Sequence, residues 1–128
     1  DQDFARIMNE LIAPVARQYK PDCIMVSAGY YTHVSDPLGT MAVTTTGFAY
    51  MTKVMVDLAA ELCDGRLVLV LEGGYFLQGL ADGVLASLHE MAGTGELSPA
   101  ACTALTQTKR ALPALDAALA TAKKHWTF

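Results

Sequence analysis

Two short stretches of the chain carry residues able to do chemistry. The first is Leu67-Val68-Leu69-Val70-Leu71-Glu72-Gly73-Gly74-Tyr75, an apolar run that stops at a glycine pair and is followed at once by a phenol. Glycine permits backbone angles closed to other residues and lets a partner approach the chain closely. A reactive hydroxyl on a tight loop at the end of a buried strand is where open α/β proteins tend to act. The plainer reading is a strand, a turn and an ordinary surface tyrosine. The second stretch is Ser27-Ala28-Gly29-Tyr30-Tyr31-Thr32-His33, running on to Asp36-Pro37-Leu38-Gly39. His33 and Asp36 form a His-x-x-Asp pair of metal-ligating types. Against that stands a structural role, in which Asp36 ties the long loop together through hydrogen bonds. Glu72 can pair locally.

The elements that must position these residues follow from periodicity. Phe4, Ile7, Met8, Leu11, Ile12, Val15 and Tyr19 fall on one face at helical spacing, with Pro14 predicted to kink the helix or loosen a hydrogen bond. Cys23–Ser27 reads as a buried strand, closed by Ala28-Gly29. The segment 30–46 is irregular and long enough to suggest a function. A threonine near position 45 is the expected N-cap of a helix carrying Phe48, Met51, Val54, Met55, Leu58 and Leu62, stopped by Asp64-Gly65. Leu67–Leu71 reads as a second strand, buried on both faces as in parallel sheets. Strand, helix, strand predicts a parallel βαβ unit with a right-handed crossover. Both strands then end at one edge, so the two candidate loops should share a rim.

Leu77, Leu80, Ala81, Val84, Leu85 and Leu88 mark a further helix ending near Gly93-Thr94-Gly95. Ser98-Pro99 suits the start of an alanine-rich helical tail over 97–128, divided at Pro113. His89 falls on a helix as a solvated or packing residue, and His125 beside Trp126 reads as a terminal packing cluster. Two strands alone do not make a stable sheet, so the remaining strands should lie elsewhere.

With 128 residues the chain supports a single core. Its composition, 52% hydrophobic and 17% charged, is apolar for that size and suggests faces hidden by a further segment or a second copy. Self-association is therefore expected. The net charge of −4 offers no basic patch, which argues against direct nucleic-acid binding. Cys23, Cys63 and Cys102 lack metal-binding spacing and read as free thiols of a reducing compartment. No stretch reads as a signal peptide or a membrane span, so a soluble, cytoplasmic protein without a membrane partner is expected. The start at Asp1, directly in a helical pattern, fits a piece of a longer chain.

Taken together, the two loops resemble the C-terminal part of the zinc-dependent histone deacetylase and acetylpolyamine amidohydrolase family, in its bacterial, class II-like members. Lys20-Pro21-Asp22, Val43-Thr44 with Gly47-Phe48, and His125-Trp126 match as well. The resemblance implies a partial arginase-deacetylase fold: an α/β segment, 1–128, with a parallel βαβ core, flanking helices and an incomplete sheet. It implies metal-assisted hydrolysis of an acetylated lysine, an acetylpolyamine or a similar amide. Tyr75 matches the family tyrosine that donates a hydrogen bond to the oxyanion, and Gly73 and Gly74 would let the backbone pass beside the substrate. His33 sits in the family motif without being one of its ligands.

One position departs from the pattern. Where the family reads Gly-Phe-Asp, with the aspartate a zinc ligand, this chain reads Gly29-Tyr30-Tyr31. The histidine pair and the Asp-x-His ligands of the family would lie upstream. The expectation is a segment that binds no zinc tightly by itself and is inactive alone, its partner being the remaining N-terminal part of the catalytic domain. The alternative is a non-catalytic, deacetylase-like interaction module marked by Tyr31, whether natural or introduced.

Overall fold

A computed structural model describes residues 1–108 and 110–128. The reading of the tail as helical therefore crosses one position, Lys109, that lies outside the described residues. The chain opens with α1 (Gln2–Ile7), passes through a π-helical turn at Met8–Ile12, and continues as α2 (Ala13–Tyr19). Pro14 accounts for the middle piece. It has no N–H for the carbonyl of Glu10, and its ring would press on that carbonyl, so the helix widens by a π-turn just before it. Lys20 ends α2 in the left-handed conformation, with its N–H on Ala16 O at 2.9 Å. Arg17 pairs with Glu61 at 2.9 Å, fastening α2 to the helix that follows.

That helix, α3 (Thr45–Leu62), joins two parallel strands, β1 (Ile24–Gly29) and β2 (Leu67–Gly73). Its N-cap is Thr44, whose side chain does not cap it. The Thr44 hydroxyl and N–H both bond the Asp1 carboxylate, at 2.7 Å each, which places a negative charge at the positive end of α3. Left-handed Asp64 and Gly65 turn the chain from α3 into β2.

The strands pair in register from Ile24↔Leu67 to Ala28↔Leu71, then slip so that Gly29 faces Gly73 and Glu72 is the extra residue of a bulge. Bulges of this kind re-aim side chains at the ends of sheets. The expectation of strands buried on both faces is not met. Val26 and Leu69 turn toward Met51 and Met55 of α3. Met25, Val68 and Val70 stand exposed, Met25 by 72%. Alternation sends successive side chains to opposite faces. Among the described residues, helix covers only one of them.

α4 (Leu77–Met91) packs along α3. The stripe predicted for it is apolar, but Leu77, Leu85 and Leu88 are exposed. Its buried line is instead Gly79, Gly83 and Ser87, small residues four apart that bring the helix close to the turn after β1. The core there joins Tyr30, Val43 and Phe48 to Leu80, Val84 and Phe4. The tail forms α5 (Pro99–Thr106), capped by Ser98 Oγ on the Ala101 N–H at 3.1 Å, and α6 (Pro113–Ala122). Leu105 packs with Ala5 and Tyr50, and Trp126 meets Tyr19 edge-on at 6.5 Å. Cys23, Cys63 and Cys102 are all free thiols. No helix among the described residues is long and apolar enough to cross a membrane.

Candidate functional site

The parallel pairing brings both candidate loops to one edge of the sheet, where Gly29 and Gly73 lie side by side. From Gly29 the chain enters a short 3-10 turn at Tyr30–Thr32, and the two tyrosines part. Tyr30 is buried, and its hydroxyl donates to Ser87 Oγ at 3.0 Å. Ser87 donates in turn to Gly83 O at 2.9 Å and accepts from Thr52 Oγ1 at 3.0 Å. Every polar atom in this buried cluster is satisfied, as an interior of low dielectric demands. The sequence reading missed it. Ser87 carried the signal, a hydroxyl on the same helical stripe as Leu80, Val84 and Gly83.

Tyr31 turns outward and is 47% exposed. Its ring lies over the strand ends: a methyl group placed on Gly29 would come within 2.5 Å of Cε1, and one on Gly73 within 3.2 Å of Cδ1. The hydroxyl of Tyr75 lies 3.6 Å from that same point over Gly73, and Tyr75 is 56% exposed. The two phenols thus share the space above one glycine. Gly74, between Gly73 and Tyr75, has φ of 146°, a conformation side chains rarely adopt.

Asp36 holds this arrangement together. Its Oδ1 accepts the N–H groups of Leu38 at 2.9 Å and Gly39 at 3.1 Å, folding its own loop. Its Oδ2 crosses to the other loop and accepts the N–H groups of Tyr75 at 2.7 Å and Phe76 at 3.2 Å. Burial pushes this carboxyl up, but the backbone donors outweigh it and hold Asp36 below the usual carboxylate range. The turn it makes lays Gly39 on the carbonyl of Tyr31, where a side chain would collide at 1.9 Å.

His33 stacks between Phe76 at 5.6 Å and Phe48 at 6.4 Å, and its Nδ1 accepts the Ser35 N–H at 3.1 Å. Glu72 accepts from Ser27 Oγ at 3.2 Å. His89 lies on α4 with Nδ1 3.0 Å from Thr94 Oγ1, and His125 sits beside Trp126 near the start of β1; neither joins the rim.

The pairing of His33 and Asp36 as metal ligands is not what the geometry builds. Asp36 spends its four hydrogen bonds on backbone, and the ring nitrogen of His33 nearest the loop is already an acceptor. Among the described residues no three His, Cys, Asp or Glu gather where an ion could sit. The side chain that the rim presents over Gly29 and Gly73, Tyr31, is a phenol, outside the thiolate, imidazole and carboxylate donors zinc prefers. Among the described residues, those at the rim do not by themselves fit a zinc ion. The rim can instead present a hydrogen-bond donor, Tyr75, beside a glycine floor and an aromatic wall, Tyr31.

The family model described as Histone deacetylase domain matches residues 1–91. The chain is 42% identical over 92 residues to histone deacetylase 14, chloroplastic, of Arabidopsis thaliana, covering 72% of this chain and 22% of that protein. It is 32% identical over 124 residues to polyamine deacetylase HDAC10 of Homo sapiens, covering 97% of this chain and 18% of that one. The solved histone deacetylase Clr3 superposes with a TM-score of 0.74 at 26% identity, over 94% of this chain and 18% of that chain. The chain spans about a fifth of the length of the curated relatives it matches. The α/β segment described above fits part of the arginase-deacetylase fold of these structures.

Proposed function

The chain belongs to the histone deacetylase domain family, and from that premise we propose that it forms the amide-facing wall of a deacetylase-like hydrolase, with Tyr75 as the donor to the acyl oxygen. The observation that carries this reading is the placement of the Tyr75 hydroxyl over Gly73, at the edge where both strands end. An acyl group entering above the glycine pair would put its carbonyl oxygen within reach of the phenol. As the carbonyl is attacked, negative charge grows on that oxygen and the bond from Tyr75 strengthens. A donor that gains strength in the transition state accelerates the step, and losing one typically costs about a hundredfold or more.

Of the rim's titratable residues, neither Asp36 nor His33 is placed to activate water, because Asp36 is fully engaged and the His33 ring is packed between Phe48 and Phe76. In this proposal the segment is the C-terminal part of a bacterial, class II-like catalytic domain, and the preceding part of that domain is its partner. The substrate is an acetylated lysine, an acetylpolyamine or a similar amide. Tyr31 favours a second reading, a deacetylase-like module that binds without hydrolysing.

One experiment separates the two. The polypeptide carrying this segment at its natural length is assayed on an N-acetyl-lysine peptide, with Tyr75→Phe and Tyr31→Asp variants. The hydrolase reading expects turnover that falls about a hundredfold or more in Tyr75→Phe. Turnover absent in the parent but appearing, with bound zinc, in Tyr31→Asp supports the non-catalytic reading. Turnover indifferent to Tyr75→Phe removes the donor role.

A further inference from the structure

We propose that Asp36 is a positioning residue for Tyr75: by accepting the N–H groups of Tyr75 and Phe76, its carboxylate sets the direction in which the phenol leaves the rim. The inference rests on the donor role given to Tyr75 above. An aspartate that only shaped its own loop would stop at the bonds from Leu38 and Gly39, the usual short-range turn. Asp36 goes further, with its second oxygen reaching residues 39 and 40 positions along the chain. Charge-assisted bonds of this kind are stronger than neutral ones.

The N–H groups that Asp36 grips sit between a glycine and a helix start without its own side-chain cap. Gly74, just before it, has φ of 146° and no side chain to restrict it. Just after it, α4 begins without a side-chain cap of its own, on Phe76. The Phe76 carbonyl is fixed by the Leu80 N–H at 2.9 Å and its ring by His33. That leaves the N–H groups of Tyr75 and Phe76 to Asp36. The carboxylate acts as a cap delivered from another loop, its charge set at the positive end of α4. Its other oxygen folds Gly39 onto the Tyr31 carbonyl. One side chain therefore reaches the backbone of Tyr75 directly and that of Tyr31 through Gly39.

The test uses the natural-length protein. Asp36→Asn puts an NH2 group against one pair of N–H donors, whichever way the amide turns. Turnover of an N-acetyl-lysine peptide is expected to fall in kcat on the order of a hundredfold, the scale of a misplaced reacting group, with KM little changed. In a Tyr75→Phe background the same substitution should add almost nothing. Hydrogen exchange at the Tyr75 and Phe76 amides should quicken while α3 keeps its protection. In the unsubstituted protein, the Tyr75 and Phe76 amide protons should shift together with the Asp36 carboxyl carbon as acid is added, which needs no variant to fold. Additive losses in the double variant, or amides that ignore the carboxyl titration, overturn the proposal. A protein that turns over nothing overturns the donor role instead, and the amide measurements still judge Asp36.

Discussion

The hydroxyl of Tyr30 donates to Ser87 Oγ at 3.0 Å and fastens the turn after β1 to the inner face of α4. Both residues are buried, and Ser87 also accepts from Thr52. The rim is thus anchored from below by one tyrosine so that the next, Tyr31, stands outside. Tyr30→Phe should cost about 1 kcal/mol of unfolding free energy. Ser87→Ala leaves two buried hydroxyls without their acceptor and should cost more, about 1–3 kcal/mol. Urea unfolding with an unchanged slope is the check.

Asp36 gives the fold an acid sensitivity of defined sign. Its carboxyl sits below the usual range in the folded chain, and near about 3.9 in an unfolded one. The unfolded state therefore binds the proton first. The stabilisation is complete above the ordinary carboxylate pKa and is lost as pH falls through the lower, folded value. Glu10 beside Arg6 and Glu61 beside Arg17 are lowered in the same sense by their ion-pair hydrogen bonds, but both carboxylates are exposed and weigh little. Unfolding curves taken across the acid range should show a decline that Asp36→Asn flattens and Glu61→Gln leaves nearly unchanged.

Met25, Val68 and Val70 form an exposed apolar strip on the sheet, and among the described residues one edge of each strand is unpaired. Such surfaces seek cover. The 128-residue chain prepared alone should associate with itself in a concentration-dependent way by sedimentation. Val68→Lys with Val70→Lys should shift it toward monomer. Association unaffected by the two lysines would place the contact elsewhere.

The sheet edge was legible in the sequence because its signals are local. Five apolar residues before Gly73-Gly74, and a helix between two such runs, fix parallel strands and a common rim. The bulge at Glu72 was not legible, since it depends on how two distant strands close their register. The fate of Tyr30 and Tyr31 could not be read from two adjacent identical letters; it is decided by Ser87 and Thr52, 57 and 22 positions further on. The inner face of α4 was legible in Leu80 and Val84, which pack in the core, but Leu77, Leu85 and Leu88 misled: where Tyr30 and His33 approach the helix closely, it carries Gly79, Gly83 and Ser87. Exposure of Met25 and Val70 follows from α3 packing on the opposite face of the sheet, a placement that no periodicity within the strands records.

The central claim, that Tyr75 faces the acyl oxygen, is tested most directly by difference infrared spectroscopy. The probe is N-acetyl-lysine labelled with carbon-13 at the acetyl carbonyl, bound to the natural-length protein. Donation from the phenol should move the carbonyl stretch to lower frequency than in the Tyr75→Phe variant. The same band position in both proteins, with the probe bound in both, contradicts the account.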